Sequence, residues 1–188
     1  MDRYYYLTNA IAEKDCDDFL NQYSNNKFEE AKTGGENTPM EGPQRTYSDY
    51  RKSEVQWLPP NNAIVRAIWS YVIEINMNHF KANLTGYDGV QFTKYKSNGG
   101  NYKWHRDFMY EDKTPQRKLS AMLQLCKPED YKGGSLQLFN GVKEPEELPI
   151  KNQGSLIVFK SEEWHQVTPV VEGTRYSIVM WANGPAYA

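Results

Sequence analysis

The sequence predicts a mainly β protein (α+β) in which a double-stranded β-helix, or jelly roll, carries helices packed on its outside. After Gly89, short segments of alternating apolar and polar residues are separated by turn residues at regular spacing, which favours a sandwich or barrel. Before Gly89, apolar residues recur at helical spacing instead. No linker or internal repeat divides the chain. We therefore expect one domain over residues 1–188, with a helical and extended support region at 1–88 and a β-barrel core at 89–183.

The overall composition argues against nucleic-acid and membrane partners. The 188 residues carry a formal net charge of −2 with acids and bases interspersed, so no basic surface would attract phosphate groups. The two cysteines are too few for a disulfide framework, and no apolar run approaches the length of a membrane span. The N-terminus also lacks the pattern of a secretory signal. We therefore expect a cytoplasmic protein that binds neither nucleic acid nor membrane, and leave its oligomeric state open.

Two stretches of the N-terminal region predict helices. Over residues 12–24, apolar side chains recur at the spacing of one helical face. A longer helix is predicted to begin with Asn61 or Asn62 as its N-cap and to end near Asn83. His79 lies on the apolar stripe of this helix. We therefore expect His79 to pack against the core rather than to bind a metal.

The rest of the chain predicts strands and one long loop. Residues 33–44 are rich in glycine, proline and polar side chains, which indicates a surface loop, with a lid over a site as the alternative. The predicted strands are short and bounded by turn residues; they cover residues 54–58, 90–96, 102–108, 118–126, 135–139, 155–159, 164–168 and 175–181.

Three residues of the predicted barrel can form a metal site. His105 and Asp107 lie two positions apart, and strand alternation would direct both side chains to one face while Trp104 and Arg106 face away. His165, in a later strand, would complete a facial triad of two imidazoles and one carboxylate. That is the ligand set of non-haem Fe(II) oxygenases. A His-x-Asp pair also occurs by chance on surface strands, so the metal prediction depends on support from other residues.

That support comes from an arginine on the last predicted strand. Arg175, Ser177, Val179 and Trp181 alternate along it, so a guanidinium and a hydroxyl would lie side by side in an apolar wall. Burying an arginine is costly unless it meets a carboxylate, either from the protein or from an acidic ligand. The alternative is an arginine at the barrel rim that pairs with a surface acid.

Several motifs together resemble a known family. The runs are Gln-Phe-Thr-Lys-Tyr, Tyr-Lys-Trp-His-Arg-Asp, Arg-Lys-Leu-Ser-Ala-Met-Leu-Gln-Leu, Asp-Tyr-Lys-Gly-Gly-Ser-Leu and His-Gln-Val-Thr-Pro-Val-Val-Glu-Gly-Thr-Arg-Tyr-Ser. In this order and spacing, over residues 90–181, they are similar to the 2-oxoglutarate and Fe(II)-dependent dioxygenases of the prolyl 4-hydroxylase type. This resemblance is far more specific than a lone His-x-Asp pair.

The resemblance implies a cofactor site. It implies that the triad binds Fe(II) and that Arg175 pairs with the distal carboxylate of the cosubstrate 2-oxoglutarate. Tyr95 matches a tyrosine that lines the cosubstrate pocket, and Ser177 forms an Arg-x-Ser pair that also holds this carboxylate in related oxygenases. Gln124 stands where many prolyl hydroxylases have a tyrosine bonded to the cosubstrate, and its amide could still donate. O2 is the implied oxidant, with ascorbate as a candidate reductant.

The resemblance also implies a reaction, the hydroxylation of an unactivated C–H bond, with a prolyl residue in a peptide or protein as the first candidate substrate. Arg117, Trp181 and Tyr102 match or lie near positions that face substrate in related enzymes. Asp107 favours hydroxylation over halogenation, because related halogenases have a small residue in its place. Four alternatives stay open: a free amino acid or other small molecule as substrate, nucleobase demethylation, a cupin-like metal-binding protein without oxygenase activity, and an inactive scaffold.

Overall fold

The computed structural model of the protein describes residues 3–32, 50–108, 115–139, 141–142 and 144–186. The loop predicted at 33–44, and with it the question of a lid, lies outside these residues. In the part of the chain that is described, no helix is both long and apolar enough to cross a membrane.

The described strands all pair antiparallel. They are β1 (Tyr4–Leu7), β2 (Glu29–Glu30), β3 (Arg51–Lys52), β4 (Glu54–Leu58), β5 (Gly86–Tyr87), β6 (Val90–Lys96), β7 (Asn101–His105), β8 (Gln116–Gln124), β9 (Tyr131–Gly133), β10 (Leu136–Phe139), β11 (Glu146–Glu147), β12 (Leu156–Lys160), β13 (Trp164–Val167) and β14 (Val170–Gly184).

These strands form two sheets. Within the described residues the larger sheet has the order β1-β12-β8-β14-β6-β4-β2, with β5 and β9 also paired to β14, and the smaller has the order β11-β10-β13-β7-β3. A cluster of buried side chains lies between the sheets and includes Met122 of the larger sheet and Leu138 of the smaller one. The two-sheet, mainly β architecture confirms the predicted jelly roll.

Two helices cover the outer face of the larger sheet, as predicted. They are α1 (Glu13–Tyr23) and α2 (Ala63–Ile75). Their apolar faces join one buried cluster with the larger sheet, in which Phe19 of α1 packs edge-on against Phe92 of β6. Asn62 is the N-cap of α2, since its side-chain oxygen accepts hydrogen bonds from the backbone N–H groups of Ile64 and Val65.

The prediction for His79 is wrong in one respect. Helix α2 continues into a π-helical turn (Asn76–Phe80), in which the backbone N–H of Lys81 donates to the Asn76 carbonyl five residues earlier. This wider turn shifts the buried face to Asn76 and Phe80 and leaves His79 exposed, where its ring stacks on Tyr5. His79 is therefore neither a core residue nor part of the metal-ligand cluster.

The sequence missed the short strands β1, β2, β3, β5, β9 and β11 and misjudged the ends of others. Strand β1 was not predicted because its Tyr-Tyr-Tyr-Leu run shows no clear alternation, and it pairs with β12 at the end of the larger sheet. Strand β14 extends beyond residues 175–181 on both sides, since its long edges pair with several strands. Strand β7 ends at His105, before the predicted end at residue 108.

Replacing the N-cap of α2, Asn62→Ala, should lower the free energy of unfolding by about 1 kcal/mol, because two backbone N–H groups lose their acceptor. Urea denaturation measures this difference. Asn61→Ala, one residue earlier and exposed, is the matched control and should leave the midpoint nearly unchanged. An equal loss in both variants would contradict the assigned cap.

Candidate metal centre

The predicted metal ligands converge between the two sheets. His105 ends β7 and His165 lies on the neighbouring strand β13, where the two residues face each other in register. Asp107 follows β7 by two residues. One ligand atom from each of the three side chains lies within 4.8 Å of the others, and all three residues are buried. The structure therefore brings together two imidazoles and one carboxylate, as the sequence predicted.

The hydrogen bonds of the two imidazoles orient them for metal binding. Nδ1 of His105 lies 2.7 Å from the Lys103 carbonyl, and Nδ1 of His165 lies 2.9 Å from the Glu163 carbonyl. Because a carbonyl can only accept, each Nδ1 carries the proton of its contact. The Nε2 atoms face Asp107, at 3.7 Å for His105 and 3.4 Å for His165. The Nδ1 contacts to the two carbonyls therefore fix the tautomer in which Nε2 is free to bind a metal.

Asp107 is positioned by a loop, not by strand alternation. The backbone N–H groups of Asp107 and Phe108 both donate to the Ser161 carbonyl, at 3.0 and 2.9 Å. The Ser120 hydroxyl donates to Oδ2 of Asp107 at 2.7 Å and lies 2.9 Å from the Ser161 hydroxyl. Ser120 lies in one of the runs that carry the family resemblance, but the resemblance assigned it no role, and nothing marked Ser161. Sequence reasoning therefore missed both residues that hold Asp107 in place.

Burial and mutual attraction set the charges of the cluster. Burial first, and then the neighbouring His165, lower the pKa of His105 to about 3, so His105 is neutral at pH 7. Burial opposes ionisation of Asp107, but His165 outweighs it and holds the pKa of this carboxyl well below its usual range. Burial likewise opposes protonation of His165, yet the Asp107 carboxylate raises the pKa of His165. A divalent cation can replace the proton that this pair shares.

The donor set fits Fe(II). Non-haem iron oxygenases bind the metal through two imidazole nitrogens and one carboxylate oxygen on one face, which leaves the other positions for cosubstrate and O2. The carboxylate supplies negative charge, and both imidazoles are held by acceptor contacts on their far nitrogens.

A cavity between the sheets adjoins this cluster and is lined mostly by residues of β6, β7, β8, β13 and β14. Besides the three ligands it is lined by Arg51, Gln91, Tyr95, Tyr102, Ser120, Ala121, Met122, Leu136, Phe159, Val167, Ser177, Val179 and Trp181. Of the predicted cosubstrate and substrate residues, Tyr95, Ser177, Trp181 and Tyr102 are in this lining.

A β-bulge brings Tyr102 into the cavity. The pairing of β7 with β13 shifts between His165 and Val167, which are opposite His105 and Tyr102. Simple alternation would place residues three positions apart on opposite faces, but the extra residue of a bulge restores both to one face. The Tyr102 ring stacks on His105 with centroids 3.4 Å apart.

Arg175 is buried directly behind the cavity lining. It is 1% exposed, and its guanidinium contacts the Ser177 hydroxyl at 3.5 Å and the Met122 sulfur at 3.2 Å. Its Nε atom has no hydrogen-bond partner, and no carboxylate of the described residues pairs with it. Gly134 (φ 60°) makes room for it, since a Cβ there would lie 2.9 Å from Cδ of Arg175. The rim alternative from the sequence is therefore wrong.

Gln124 is fully buried beside Ser177 and does not line the cavity. Its Nε2 donates to the Tyr131 hydroxyl at 3.1 Å and to the Cys126 carbonyl at 3.4 Å. The Tyr131 ring also borders Gly134, close to Arg175. Tyr131 thus places a phenol beside Gln124, the position at which the resemblance implies a tyrosine. Sequence reasoning assigned Tyr131 no role, although it lies in one of the runs that carry the resemblance.

Arg117 lies beside Trp181, outside the cavity wall. Its guanidinium is 4.0 Å from the centroid of the Trp181 ring, and its Nε donates to the Asp88 carboxylate at 2.8 Å. Arg117 is therefore already paired with an acid. Arg106, between two of the ligands, covers the outer Trp164 ring, as expected for a residue that faces away from the metal.

The fold and the cluster together define a jelly-roll protein with a non-haem iron site. The family model of the 2OG-Fe(II) oxygenase superfamily matches residues 90–183. The chain belongs to this superfamily. Membership confirms the resemblance seen in the sequence, and with it Fe(II), 2-oxoglutarate and O2 as the cofactor and cosubstrates of the family.

The chain is also similar to individual hydroxylases, in sequence to some and in fold to others. A PKHD-type hydroxylase of Synechococcus is 34% identical over 85 residues, which cover 45% of this chain and 37% of that protein. The chain spans about two fifths of the length of the first curated relatives that it matches. A prolyl-4-hydroxylase of Pseudomonas putida has a TM-score of 0.71 at 20% identity, covering 98% of this chain and 94% of that one. A Trichoplax adhaerens prolyl hydroxylase in complex with a hypoxia-inducible-factor peptide fragment also has a TM-score of 0.71, at 18% identity, covering 97% and 84%.

Removing the hydroxyl that holds Asp107, Ser120→Ala, should weaken Fe(II) binding about 10- to 100-fold, as loss of a residue that orients a ligand does elsewhere. Anaerobic calorimetry with Fe(II) measures the change. Ser70→Ala, on the exposed face of α2, is the control and should bind Fe(II) like the unmodified protein. Unchanged affinity in Ser120→Ala would mean that Ser120 does not position the ligand.

Proposed function

We propose that this protein is an Fe(II)- and 2-oxoglutarate-dependent dioxygenase, a single domain that hydroxylates an unactivated C–H bond, with a prolyl residue in a peptide or protein as its first candidate substrate. The observation that carries the proposal is the pairing of two features in one place. A buried His-Asp-His cluster adjoins a cavity, and a buried arginine without a carboxylate partner among the described residues lies directly behind that cavity's wall.

The unpaired arginine is what separates an oxygenase from other metal-binding jelly rolls. A buried guanidinium costs several kcal/mol unless an anion compensates it, by the order-of-magnitude estimate for buried ions. Among the described residues, the Arg175 guanidinium donates hydrogen bonds to a hydroxyl and a thioether and meets no carboxylate. A dicarboxylic cosubstrate that reaches from the metal to Arg175 supplies the missing anion, whereas a cupin-like protein without such a cosubstrate would leave the charge uncompensated.

The residues of the site have separable roles in this proposal. His105, Asp107 and His165 would hold Fe(II), which together with 2-oxoglutarate and O2 supplies the oxidation of a C–H bond and the release of succinate and carbon dioxide. Arg175 and Ser177 would bind the far carboxylate of 2-oxoglutarate, with Tyr131 as a further donor. The apolar walls exclude water from the reacting groups.

Four further residues fit the cosubstrate wall and the substrate side of the cavity. Tyr95 is 3% exposed, lines the cavity and lies 5.7 Å below the Arg175 guanidinium, so it would form a wall beside 2-oxoglutarate. Trp181 and Tyr102 line the cavity, and the Arg117 guanidinium packs against the Trp181 ring. We propose Trp181 and Tyr102 as the residues that contact substrate directly, and Arg117 as a residue that positions Trp181.

Relatives support the choice of substrate class. The curated relatives are named as PKHD-type hydroxylases, and a structure with the same fold holds a peptide fragment. A free amino acid is the second candidate, because the same oxidation needs only a C–H bond within reach of the metal.

Replacing the buried arginine, Arg175→Leu, should weaken 2-oxoglutarate binding by about 2 kcal/mol or more, roughly 30-fold in Kd, because one partner of a charge pair is lost. Fe(II) binding should change little. Anaerobic titration, followed by the weak metal-to-ligand charge-transfer band that Fe(II) and 2-oxoglutarate give in the visible, measures both. Equal loss of both ligands would make Arg175 mainly structural, and absence of the band in the metal-loaded unmodified protein would refute the oxygenase proposal.

Incubation with Fe(II), 2-oxoglutarate, O2 and a panel of proline-rich peptides should give products heavier by one oxygen atom, detected by mass spectrometry. Free proline in a parallel reaction decides between the two substrate classes. Omission of 2-oxoglutarate is the control and should abolish the mass gain. Modification of free proline alone would overturn the peptide assignment and leave the oxygenase proposal intact.

A further inference from the structure

A second arginine, Arg51 of β3, is also buried against the active-site cavity. It is 7% exposed and is among the residues that line the cavity. Its Nε donates to the Ser53 hydroxyl at 2.8 Å, and its Nη2 donates to the side-chain oxygen of Gln91 at 3.2 Å. Both partners are neutral, so they orient the guanidinium without compensating its charge.

The charge of Arg51 has no protein counterpart in the part of the chain that is described. No carboxylate of those residues forms an ion pair with it. Arg117, on the other side of Trp181, shows the contrast, because Asp88 holds it at 2.8 Å. A buried cation held only by neutral groups is costly, whereas a bidentate carboxylate would compensate it.

Arg51 and Arg175 lie at opposite ends of the cavity. On β6, Tyr95 is paired with Arg175, while Gln91, which holds Arg51, is paired with Val179. Four residues along a strand correspond to roughly 13 Å. Arg175 therefore stands at the proposed cosubstrate end, and Arg51 stands at the other.

The end of the cavity that holds Arg51 also contains an unsatisfied donor. Trp181, two residues beyond Val179 on β14, lines the cavity and is 6% exposed, and its indole N–H has no hydrogen-bond partner among the described residues. A guanidinium and an indole N–H at the same end both lack an acceptor that carries charge. Together they form a donor set for an anion.

Arg51 is also connected to the metal cluster through one aromatic ring. Its guanidinium lies 4.6 Å from the centroid of Tyr102, and that ring stacks on the ligand His105. An anionic group held at Arg51 would therefore fix a small molecule, or a residue and its neighbour, at a short and defined distance from the metal. Such fixed distance is how a remote contact aligns the bond that reacts.

We propose that Arg51 binds a carboxylate of the substrate. Gln91 and Ser53 hold the guanidinium fork in place, and Trp181 completes the site. The preferred substrate is then an acid: either a free amino acid bound through its α-carboxylate, or a peptide with an acidic side chain beside the residue that is hydroxylated. This inference rests on the proposed oxygenase function and adds the substrate's charge to it.

The test compares matched acid and amide probes on the protein loaded with Fe(II) and 2-oxoglutarate. One pair is L-proline and L-prolinamide; the other is a proline-containing peptide with glutamate beside the proline and the same peptide with glutamine. The anaerobic charge-transfer band reports binding of each probe, and mass spectrometry after exposure to air reports hydroxylation. In one pair the acid should bind about 30-fold more tightly than the amide, and that pair identifies the source of the carboxylate.

Three variants at this end of the cavity separate recognition from structure. Arg51→Leu should abolish the preference for the acid, and Arg51→Lys should keep part of it, since a point charge remains without the fork. Gln91→Glu places a carboxylate of the protein beside the unchanged Arg51. It should also abolish the preference while the protein stays folded, a result that a purely structural arginine would not give.

Two controls link the result to Arg51 itself. Arg66→Leu removes an exposed arginine of α2, on the outer face of the larger sheet and outside the cavity wall, and should keep the ratio between acid and amide. Arg51→Leu should bind 2-oxoglutarate within about threefold of the unmodified protein, unlike Arg175→Leu.

The outcomes that would overturn the inference are distinct from those that would overturn the oxygenase proposal. A charge-transfer band in the unmodified protein, with acid probes that bind no better than amides or do not bind, refutes the role of Arg51. Loss of 2-oxoglutarate binding in Arg51→Leu would assign this arginine to the cosubstrate instead. Absence of the band with 2-oxoglutarate refutes the oxygenase proposal itself.

Discussion

The cost of burying charge is the constraint on which this structure depends. Asp107 is buried between two imidazoles, and two arginines, Arg51 and Arg175, are buried nearby with no acidic partner among the described residues. Each of these charges is expensive in a closed barrel unless something compensates it. A metal ion at the cluster and anions at the two arginines would do so. Binding of such ligands would therefore also stabilise the fold.

The two sheets carry different residues of the candidate site. The smaller sheet brings the histidines of β7 and β13 into register, and the bulge between these strands also turns Tyr102 inward. The larger sheet carries Arg175 and Trp181 on β14, and on β8 it carries Ser120, which donates to Asp107. These two strands pair with each other over most of the length of β8. Because each group is attached to a hydrogen-bonded strand or to a loop tied by backbone contacts, the site is held in position before any ligand binds.

Several features of the fold and site could be read from the residues. Helical spacing located α1 and α2, alternation located most barrel strands, and the His-x-Asp pair with His165 identified the metal cluster. His79 was placed in the core because an α-helical period was extended through a π-turn that the sequence does not announce. Asp107 was correctly grouped with His105 for an incorrect reason, since the strand has ended and the Ser161 carbonyl positions the loop. Ser120, Tyr131 and Arg51 reach the site from distant segments and had no local pattern to mark them.

The sequence by itself determined the class of protein, because several motifs stand in a family's order and spacing, and it predicted the three candidate metal ligands and Arg175. Only the tertiary structure decided which side chains are left with an uncompensated charge. That property depends on the absence of a partner in space, and spacing along the chain cannot express it. Arg117 and Arg51 look alike as sequence. Yet Asp88 pairs with Arg117, whereas among the described residues Arg51 meets a hydroxyl, an amide and an aromatic ring and no acid. A structural arginine differs from one that can bind a ligand in whether the fold places an acid beside it, and residue type does not show this.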